Sequence, residues 1–501
     1  MLLMMKQMRS NRVNLMLVNL AAMMEGADGA LLPGVYKEVG EDLHIDPTRL
    51  SSLTLFRSIV QTSCYPLAAY LAIHHNRAHV IALGAFLWAI TTFLFAISST
   101  FFQVALWRAL NGIGLAIVIP SIQSLVADST YENNRGMAFG WLQFIWSLGT
   151  ILGNLCAILL ASRSFMGIPG WRIAFHLVGI VSVIVGILVR LFAFDPRFLD
   201  VDDKPKDKIL RKSFWLELNE VIEETKFVIR IPSFQIIVAQ GVPGSFPMSA
   251  WVFAPMWFEL IGFSHETTAI LMTIFVIANS LGGLFGGKMG DLLSQQMPNS
   301  GRIMLSQISS GSGIPLAAIL LLGLPDEPST AFMHGLVLFI LGFCRSWNGP
   351  ATNNPIFAEI VPEKHRTSIY ALDRLFESVL KSFAPLMVGL LTQHVYGYKL
   401  IPKGSTGSEK IKTGRENAVS MAKALFMACG IPMALCCVIY SFLYCTYPKD
   451  KERARMQALT ESAVQLMQQS HDQDERCIKG RCSDESNEFD DSDERTLFSA
   501  G

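Results

Sequence analysis

Apolar stretches long enough to cross a lipid bilayer recur along the whole chain, and this recurrence limits the fold more than any other feature. A membrane-spanning helix needs about 20 mostly apolar residues, and only helices and closed barrels satisfy every backbone group inside lipid. Here 51% of the residues are hydrophobic and 16% are charged, below the roughly 25% charged of soluble domains. We therefore predict an all-α membrane protein with twelve transmembrane helices. The predicted spans are 13–36, 50–73, 80–98, 101–126, 136–161, 174–194, 234–261, 267–287, 303–324, 332–360, 367–394 and 419–447.

Basic residues gather in the loops on one side of these spans. Lys6, Arg9 and Arg12 precede the first span, a His-rich loop with Arg77 follows the second, and the basic segment 197–230 follows the sixth. Because Lys-rich and Arg-rich loops stay in the cytoplasm, we predict that both termini are cytoplasmic. A basic loop near the C-terminus falls on the opposite side and does not fit this pattern. The sequence leaves the plasma membrane and the endomembranes both open.

A charged connection between the sixth and seventh spans divides them into two sets of six. In this connection the apolar residues from Phe214 to Val228 recur at helical spacing, which predicts a cytoplasmic amphipathic helix. The predicted parts are an N-terminal half, a linker, a C-terminal half and a cytoplasmic tail, at residues 1–194, 195–232, 233–447 and 448–501.

The tail becomes acidic and Ser-rich toward its end. Ser483, Ser486 and Ser492 lie among Asp and Glu residues, so an acid-directed kinase is a candidate partner. A disordered, solvated tail accounts for the same composition.

Acidic and basic residues recur at matching places in the two halves. Asp128 precedes Arg135 by seven residues where span five begins, and Glu359 precedes Arg366 by seven residues where span eleven begins. Weak internal symmetry between two six-span halves is typical of transporter repeats, which bind their substrate at the midplane between the halves.

These motifs resemble those of the major facilitator superfamily over about residues 13–447. The superfamily's loop after the second span of each half carries Gly and Asp four residues apart, and Gly287 and Asp291 match it in the second half. The first half departs, with Ala69 and Ile73 at these places, and only Arg77 matches. The resemblance implies two pseudo-symmetric six-helix halves. It also implies a gate at the cytoplasmic end formed by Asp128, Arg135, Asp291, Glu359 and Arg366.

Within the superfamily the chain is most similar to the spinster-like branch. The similar features are an acidic residue in span one, a Pro-interrupted span seven and the segment Leu372-Asp373-Arg374 of span eleven. This resemblance implies a lysolipid-like or sphingoid-like cargo.

Two acidic residues of span one are the first candidates for chemistry inside the membrane. Glu25 and Asp28 are three residues apart, so they share one face of a helix. Ionised carboxyl groups at this depth cost several kcal/mol unless they are paired or hydrated, which makes them functional candidates. We predict that Glu25 couples transport to protons, with Asp28 as its structural or gating partner. A structural ion pair that only orients the helix is the alternative.

Further charged and polar residues lie deep in other spans. An ion pair of Asp28 with Arg57 or Arg108 fits their depths, and Asp373, Glu377 and Lys381 repeat every four residues on one face of span eleven. Arg345 lies in a segment broken by glycine and proline, where it suits an anionic group; pairing of Arg345 with Glu377 is the structural alternative. The substrate-binding candidates are Arg57, Arg108, Arg345, Trp347, Asn348, Glu377 and Lys381.

These residues favour a secondary active transporter for a small anionic or amphiphilic organic solute, coupled to protons through Glu25. An uncoupled facilitative carrier and a transporter-fold sensor that signals through the tail are the alternatives. The predicted partners are the solute, protons and membrane lipids. We expect no enzyme activity, because the sequence has no Walker loop, zinc signature or nucleophile elbow, and we expect no cofactor, no metal and no nucleic-acid partner.

Overall fold

The computed structural model describes residues 2–43, 47–161, 164–165, 167–198, 214–381, 387–388, 390–397, 407–464 and 467. Most of these residues are helical. The helices are α1 (Leu2–Gly34), α2 (Tyr36–Leu43), α3 (Pro47–His74), α4 (Arg77–Ile97), α5 (Phe101–Asp128), α6 (Arg135–Ala161), α7 (Gly170–Phe192), α8 (Phe214–Ile229), α9 (Pro232–Ala250), α10 (Ala254–Ile261), α11 (His265–Gln296), α12 (Gly301–Ala318), α13 (Ala331–Arg345), α14 (Asn354–Glu359), α15 (Arg366–Lys381) and α16 (Gly407–Ser441).

Small elements connect or extend these helices. A two-stranded antiparallel hairpin, β1 (Ser164–Phe165) and β2 (Ile168–Pro169), joins α6 to α7. Residues 443–450 continue as helix in the same compact unit as the bundle, and residues 451–464 form a helix in a second unit. The predicted kinase sites Ser483, Ser486 and Ser492 lie outside the described residues.

The helices follow the predicted order of twelve spans. The helices at the twelve predicted positions are α1, α3, α4, α5, α6, α7, α9 with α10, α11, α12, α13 with α14, α15 and α16. In the part of the chain that the structure describes, nine helices are long and apolar enough to cross a membrane. The helix α13 is shorter, at 15 residues, because the π-helical segment Asn348–Asn353, with a glycine and a proline, separates it from α14. The predicted all-α fold of two six-helix halves is confirmed.

Helix boundaries follow local capping chemistry. The Asn76 side chain accepts from the Ala78 amide at 2.9 Å where α4 begins, and the Ser264 hydroxyl accepts from the Thr267 amide at 3.1 Å where α11 begins. Such caps satisfy amide groups that have no partner inside the helix. Gly262 ends α10 at φ 106°, a conformation that favours glycine because a side chain would be strained there.

Glycines allow close helix packing both within and between the halves. A β-carbon on Gly149 or Gly153 of α6 would overlap the α1 backbone at Met23 or Ala27, so these two helices touch along their main chains. Glycines on α6 and α11 pack in the same way between the halves, at Gly140 against Gly283. The helices α3 and α15 form a second contact between the halves. This packing places α1, which carries Glu25 and Asp28, and α15, which carries Glu377, on either side of the interface.

Candidate functional site

Asp28 lies in a closed ion pair in the N-terminal half. Its Oδ2 is 3.5 Å from Nη1 of Arg108 on α5, and its Oδ1 accepts from the Thr92 hydroxyl on α4 at 2.7 Å. Both charged side chains are buried, with exposures of 0% and 3%. Of the two predicted pairings for Asp28, the structure has the one with Arg108. This pair joins α1 to α5 and leaves neither group open to a solute.

Glu25 lies one helical turn away in a different environment. Its carboxylate accepts a hydrogen bond from the Trp146 indole N–H on α6, and its side chain is only partly buried. The guanidinium groups of Arg57 on α3 and Arg374 on α15 lie within electrostatic range of it. Glu25 is therefore attracted to cations of both halves, whereas Asp28 pairs inside one half.

One charged residue of α15, Arg374, lies within electrostatic range of Glu25. Arg374 Nη1 donates to Glu377 Oε2 at 3.3 Å, and both side chains are about one-third exposed. The neighbouring carboxyl group of Asp373 also lies within electrostatic range of the Arg374 guanidinium. Glu377 therefore contacts Arg374 and not Arg345, the pairing expected as the structural alternative. The side chain of Lys381 lies outside the described residues.

We name the residues Glu25, Arg57, Asp373, Arg374 and Glu377 the central charge cluster. Its described members carry three carboxyl groups and two guanidinium groups, a net charge of −1 when all are ionised. Tyr65 of α3, 3% exposed, lies within electrostatic range of Glu25, Arg374 and Glu377. A single proton would make this cluster neutral.

Arg345 lies apart from this cluster, between α13 and α9. Its Nη2 donates to the Gly244 carbonyl oxygen at 3.0 Å. It borders a cavity of about 20 Å³ that is also lined by Ser310 and Asn348. The adjacent Trp347 is buried against aromatic rings of α11 and α13, and it does not line this cavity. Of the three candidates in this segment, Arg345 and Asn348 thus line one cavity, and Trp347 packs elsewhere.

A second set of predicted residues meets at one end of the bundle. We name this end the latched end; it comprises the starts of α4, α6, α12 and α15 and the ends of α5, α11 and α14. Asp291 of α11 accepts from the Gly136 and Met137 amides of α6, each at 2.8 Å. These amides lie at a helix N-terminus, where the helix dipole favours a negative charge. The bond joins the C-terminal half to the N-terminal half.

Arginines repeat the same contacts in the two halves. Arg135 Nε donates to the carbonyl oxygen of Ala127, and Arg366 Nε donates to that of Ala358, each at 3.2 Å. Arg366 also forms an ion pair with Asp128 of the other half. The predicted gating residues are thus close together, and the internal repeat is visible in their contacts.

Glu359 and Asp291 share one arginine that the sequence analysis did not include among the gate residues. Arg302 of α12 lies 3.0 Å from Asp291 and 3.3 Å from Glu359, and it is 1% exposed. The Tyr447 hydroxyl also donates to Glu359. A sequence signal for Arg302 exists: it stands after the same loop as Gly287 and Asp291, at the place of the arginine in the superfamily's loop motif. A longer loop separates it from Asp291.

The first half has a corresponding arginine with a different acidic partner. Arg77 forms ion pairs with Asp128 and with Asp195, which follows α7. Burial would raise the pKa of the Asp195 carboxyl, but hydrogen bonds and charge from Arg77 and Arg197 outweigh burial and hold this pKa below its ordinary value. Asp195 therefore supplies the acidic group that the motif lacks at Ile73.

The linker helix α8 contacts the start of α15. Glu224 of α8 is 3.0 Å from His365 Nδ1 and accepts from the Ser368 hydroxyl at 2.7 Å. The Phe227 and His365 rings lie 4.7 Å apart. The linker is thus attached to the latched end of the C-terminal half.

Comparisons with known proteins agree with this architecture. The sequence profile of the Major Facilitator Superfamily matches residues 18–385 and 244–473. The quinolone resistance protein NorA of Staphylococcus aureus is 24% identical over 157 residues, which span 31% of this chain and 39% of NorA. The aligned region thus covers less than half of that relative.

Two solved structures share the fold over nearly their full length. A bacterial homologue of the human lysosomal transporter Spinster, crystallised inward-facing and unoccupied, has a TM-score of 0.58 and 17% identity, covering 88% of this chain and 98% of its own. The human organic anion transporter MFSD10 has a TM-score of 0.59 and 14% identity, covering 85% and 99%. At these identities the likeness shows the fold alone.

Proposed function

This chain belongs to the Major Facilitator Superfamily and is a multi-pass membrane transporter, and from that premise we propose a secondary active carrier that couples solute movement to protons. The solute is a small organic anion or amphiphile, and the protein moves it by alternating access of two halves, residues 1–194 and 233–447. Residues 195–232 link the halves, and residues 448–501 form a cytoplasmic tail that is a candidate kinase substrate.

The observation that carries this proposal is that cations of both halves lie within electrostatic range of Glu25. Arg57 belongs to its own half and Arg374 to the opposite half. A proton on Glu25 removes its attraction to Arg374, which acts between α1 and α15. Arg374 then keeps its hydrogen bond to Glu377 on its own helix. Protonation therefore changes the force between the halves, as coupling by alternating access requires. Asp28 contributes indirectly, because its pair with Arg108 holds α1 in place.

The described cations support an anionic cargo. Arg57 Nε has no hydrogen-bond partner in the described part of the structure, and Arg345 borders a cavity. Arginine is well suited to binding carboxylate and phosphate groups. The spinster-like resemblance adds a lysolipid-like amphiphile to the candidates.

The latched end is the cytoplasmic end in this proposal. It includes Arg77, Arg135, Arg302 and Arg366, and the positive-inside rule assigns basic loops to the cytoplasm. Asp291 and Arg366 then hold the cytoplasmic gate closed in an outward-facing state. Both termini are cytoplasmic, in the plasma membrane or an endomembrane.

Uptake by purified protein in liposomes tests the proposal. Anionic solutes and lysolipids are supplied outside, with and without an inward proton gradient. We expect uptake of at least one solute to rise with the gradient and Glu25→Gln to abolish that rise. Wild-type uptake that does not change with the proton gradient would contradict proton coupling and favour an uncoupled carrier. The absence of uptake for every class of solute would favour a transporter-fold sensor.

A further inference from the structure

Arg345 differs from two other arginines of the membrane interior in its electrostatic partners. Arg108 has Asp28 at 3.5 Å, and Arg374 has Glu377 at 3.3 Å. Among the described residues, no carboxyl group lies within electrostatic range of Arg345: the ionisable groups there are the thiols of Cys429 and Cys436, and its hydrogen bond goes to the neutral Gly244 carbonyl.

A lone cation in this position is costly. Charged side chains within the membrane are stable only with a partner or in a watered cavity, and Arg345, which is partly buried, is only partly open to water. A neutral carbonyl oxygen satisfies one N–H group but cancels no charge. The site is therefore complementary to an anion.

The cavity beside Arg345 provides the rest of such a site. Ser310 accepts from Asn348 Nδ2 at 3.0 Å. Because this bond uses only an oxygen lone pair, the hydroxyl proton of Ser310 remains available to a ligand. The volume of about 20 Å³ holds one water molecule or one oxygen of a larger head group. Pro243 and Pro247 of α9 form the opposite wall.

We propose that this cavity is the head-group subsite of the cargo, in which a carboxylate or phosphate oxygen accepts hydrogen bonds from Arg345 and Ser310. The assignment rests on the proposed transport function and specifies where the negative charge of its solute binds. It also separates two tasks: the anion binds in the C-terminal half at Arg345, and the proton binds at Glu25 in the N-terminal half. An inorganic anion such as chloride shares this chemistry, so the test includes it.

Equilibrium binding to the full-length protein in neutral detergent tests the assignment without any proton gradient. The radiolabelled probe is oleoyl lysophosphatidate, and the neutral competitor with the same acyl chain is monooleoylglycerol. Benzoate and benzyl alcohol form a second matched pair, without a lipid tail. The variants are Arg345→Gln, Arg345→Lys and, as a matched control, Arg190→Gln, whose arginine is exposed and contacts His79.

We expect at least one anion to bind wild type and Arg190→Gln equally, and to bind Arg345→Gln about tenfold or more weakly, since charge-assisted hydrogen bonds are lost. The neutral counterpart should not distinguish wild type from Arg345→Gln, which also shows that the variant is folded. Arg345→Lys should lose less, because it keeps the charge without the planar fork. It is the deciding variant if Arg345→Gln does not fold.

Several results would overturn the assignment. These are equal affinity of Arg345→Gln for the anion, equal competition by the neutral counterpart, or no saturable binding of either anion by the wild type. Arg345-dependent thermal stabilisation by chloride or inorganic phosphate, without competition from the organic anions, would mean an inorganic counter-ion and also overturn it. Wild-type uptake that does not respond to the proton gradient would contradict only the role of Glu25, so the two failures are distinguishable.

Discussion

Replacing Asp291 by asparagine should open the latched end. In the wild type this carboxylate accepts two amide hydrogen bonds at 2.8 Å from α6 and contacts Arg302 at 3.0 Å. Hydrogen bonds to a charged group contribute about 1.5–3 kcal/mol each. In Asp291→Asn an NH₂ group replaces one acceptor, so one α6 amide has no acceptor and the remaining bond is no longer charge-assisted. We expect the closed state to lose about 2–4 kcal/mol relative to the open state.

A loss of this size should change the populations clearly. At about 1.4 kcal/mol per factor of ten, the ratio of closed to open molecules should fall by roughly 30-fold to 700-fold. Spin labels on Asn133 and Gln296, both exposed at this end, would report the distance between the halves by pulsed electron resonance. The matched control is Glu266→Gln, which removes an exposed acidic residue near the opposite end of α11. A distance distribution for Asp291→Asn that equals that of the control would refute this account of the gate.

Three further predictions concern stability. Asp28→Asn should lower the free energy of unfolding, measured by chemical denaturation, by about 3–5 kcal/mol, because Arg108 keeps a buried charge without its partner. The double variant Asp28→Asn with Arg108→Gln should recover part of this loss. A double variant no more stable than the single one would contradict the prediction. The stability advantage of the wild type over Asp195→Asn should be full above about pH 4, the ordinary carboxyl pKa. It should shrink as the pH falls further, because a group with a lowered folded-state pKa stabilises the fold only in its ionised form. Melting temperatures of both proteins from pH 3 to 8 measure this advantage, and a difference between them that does not change with pH would disprove the prediction. Gly149→Val should lower the free energy of unfolding by about 1–3 kcal/mol or more, because the added side chain forces α6 away from α1. The control Gly241→Val should cost less, because Gly241 has open space around it. Equal losses in melting temperature for the two variants would argue against the glycine contact.

The sequence predicted the fold because two signals were strong and local. The length of each apolar stretch fixes a membrane span, and the repeated acid–arginine spacing at Asp128 and Glu359 marks two equivalent halves. The same repeat brought together the gating residues, because equivalent positions on equivalent helices lie at the same end of the bundle. Asp291 and Arg366 cross the interface as a consequence.

Contacts that depend on helix rotation could not be predicted in the same way. Glu25 receives its hydrogen bond from Trp146 because the glycines of α6 bring that helix against α1, and nothing near Glu25 in the sequence indicates this. Arg77 pairs with Asp195 from beyond the sixth span, which replaces the aspartate missing from the loop motif. The hydrogen bond of Arg345 to Gly244 depends on how the proline-broken helix α9 bends, and the apolar pattern does not encode that bend.

In this proposal Glu25 carries the coupled proton, and a neutral side chain at this position still lets the halves move, because it no longer attracts Arg374 across the interface. A paired transport measurement on wild type, Glu25→Gln and the control Glu266→Gln tests this most directly. One arm measures accumulation of the solute against its gradient, driven by an inward proton gradient, and the other measures exchange of labelled for unlabelled solute without any gradient. We predict that Glu25→Gln loses accumulation and keeps exchange, while the control keeps both. Proton-driven accumulation that persists in Glu25→Gln would contradict the account.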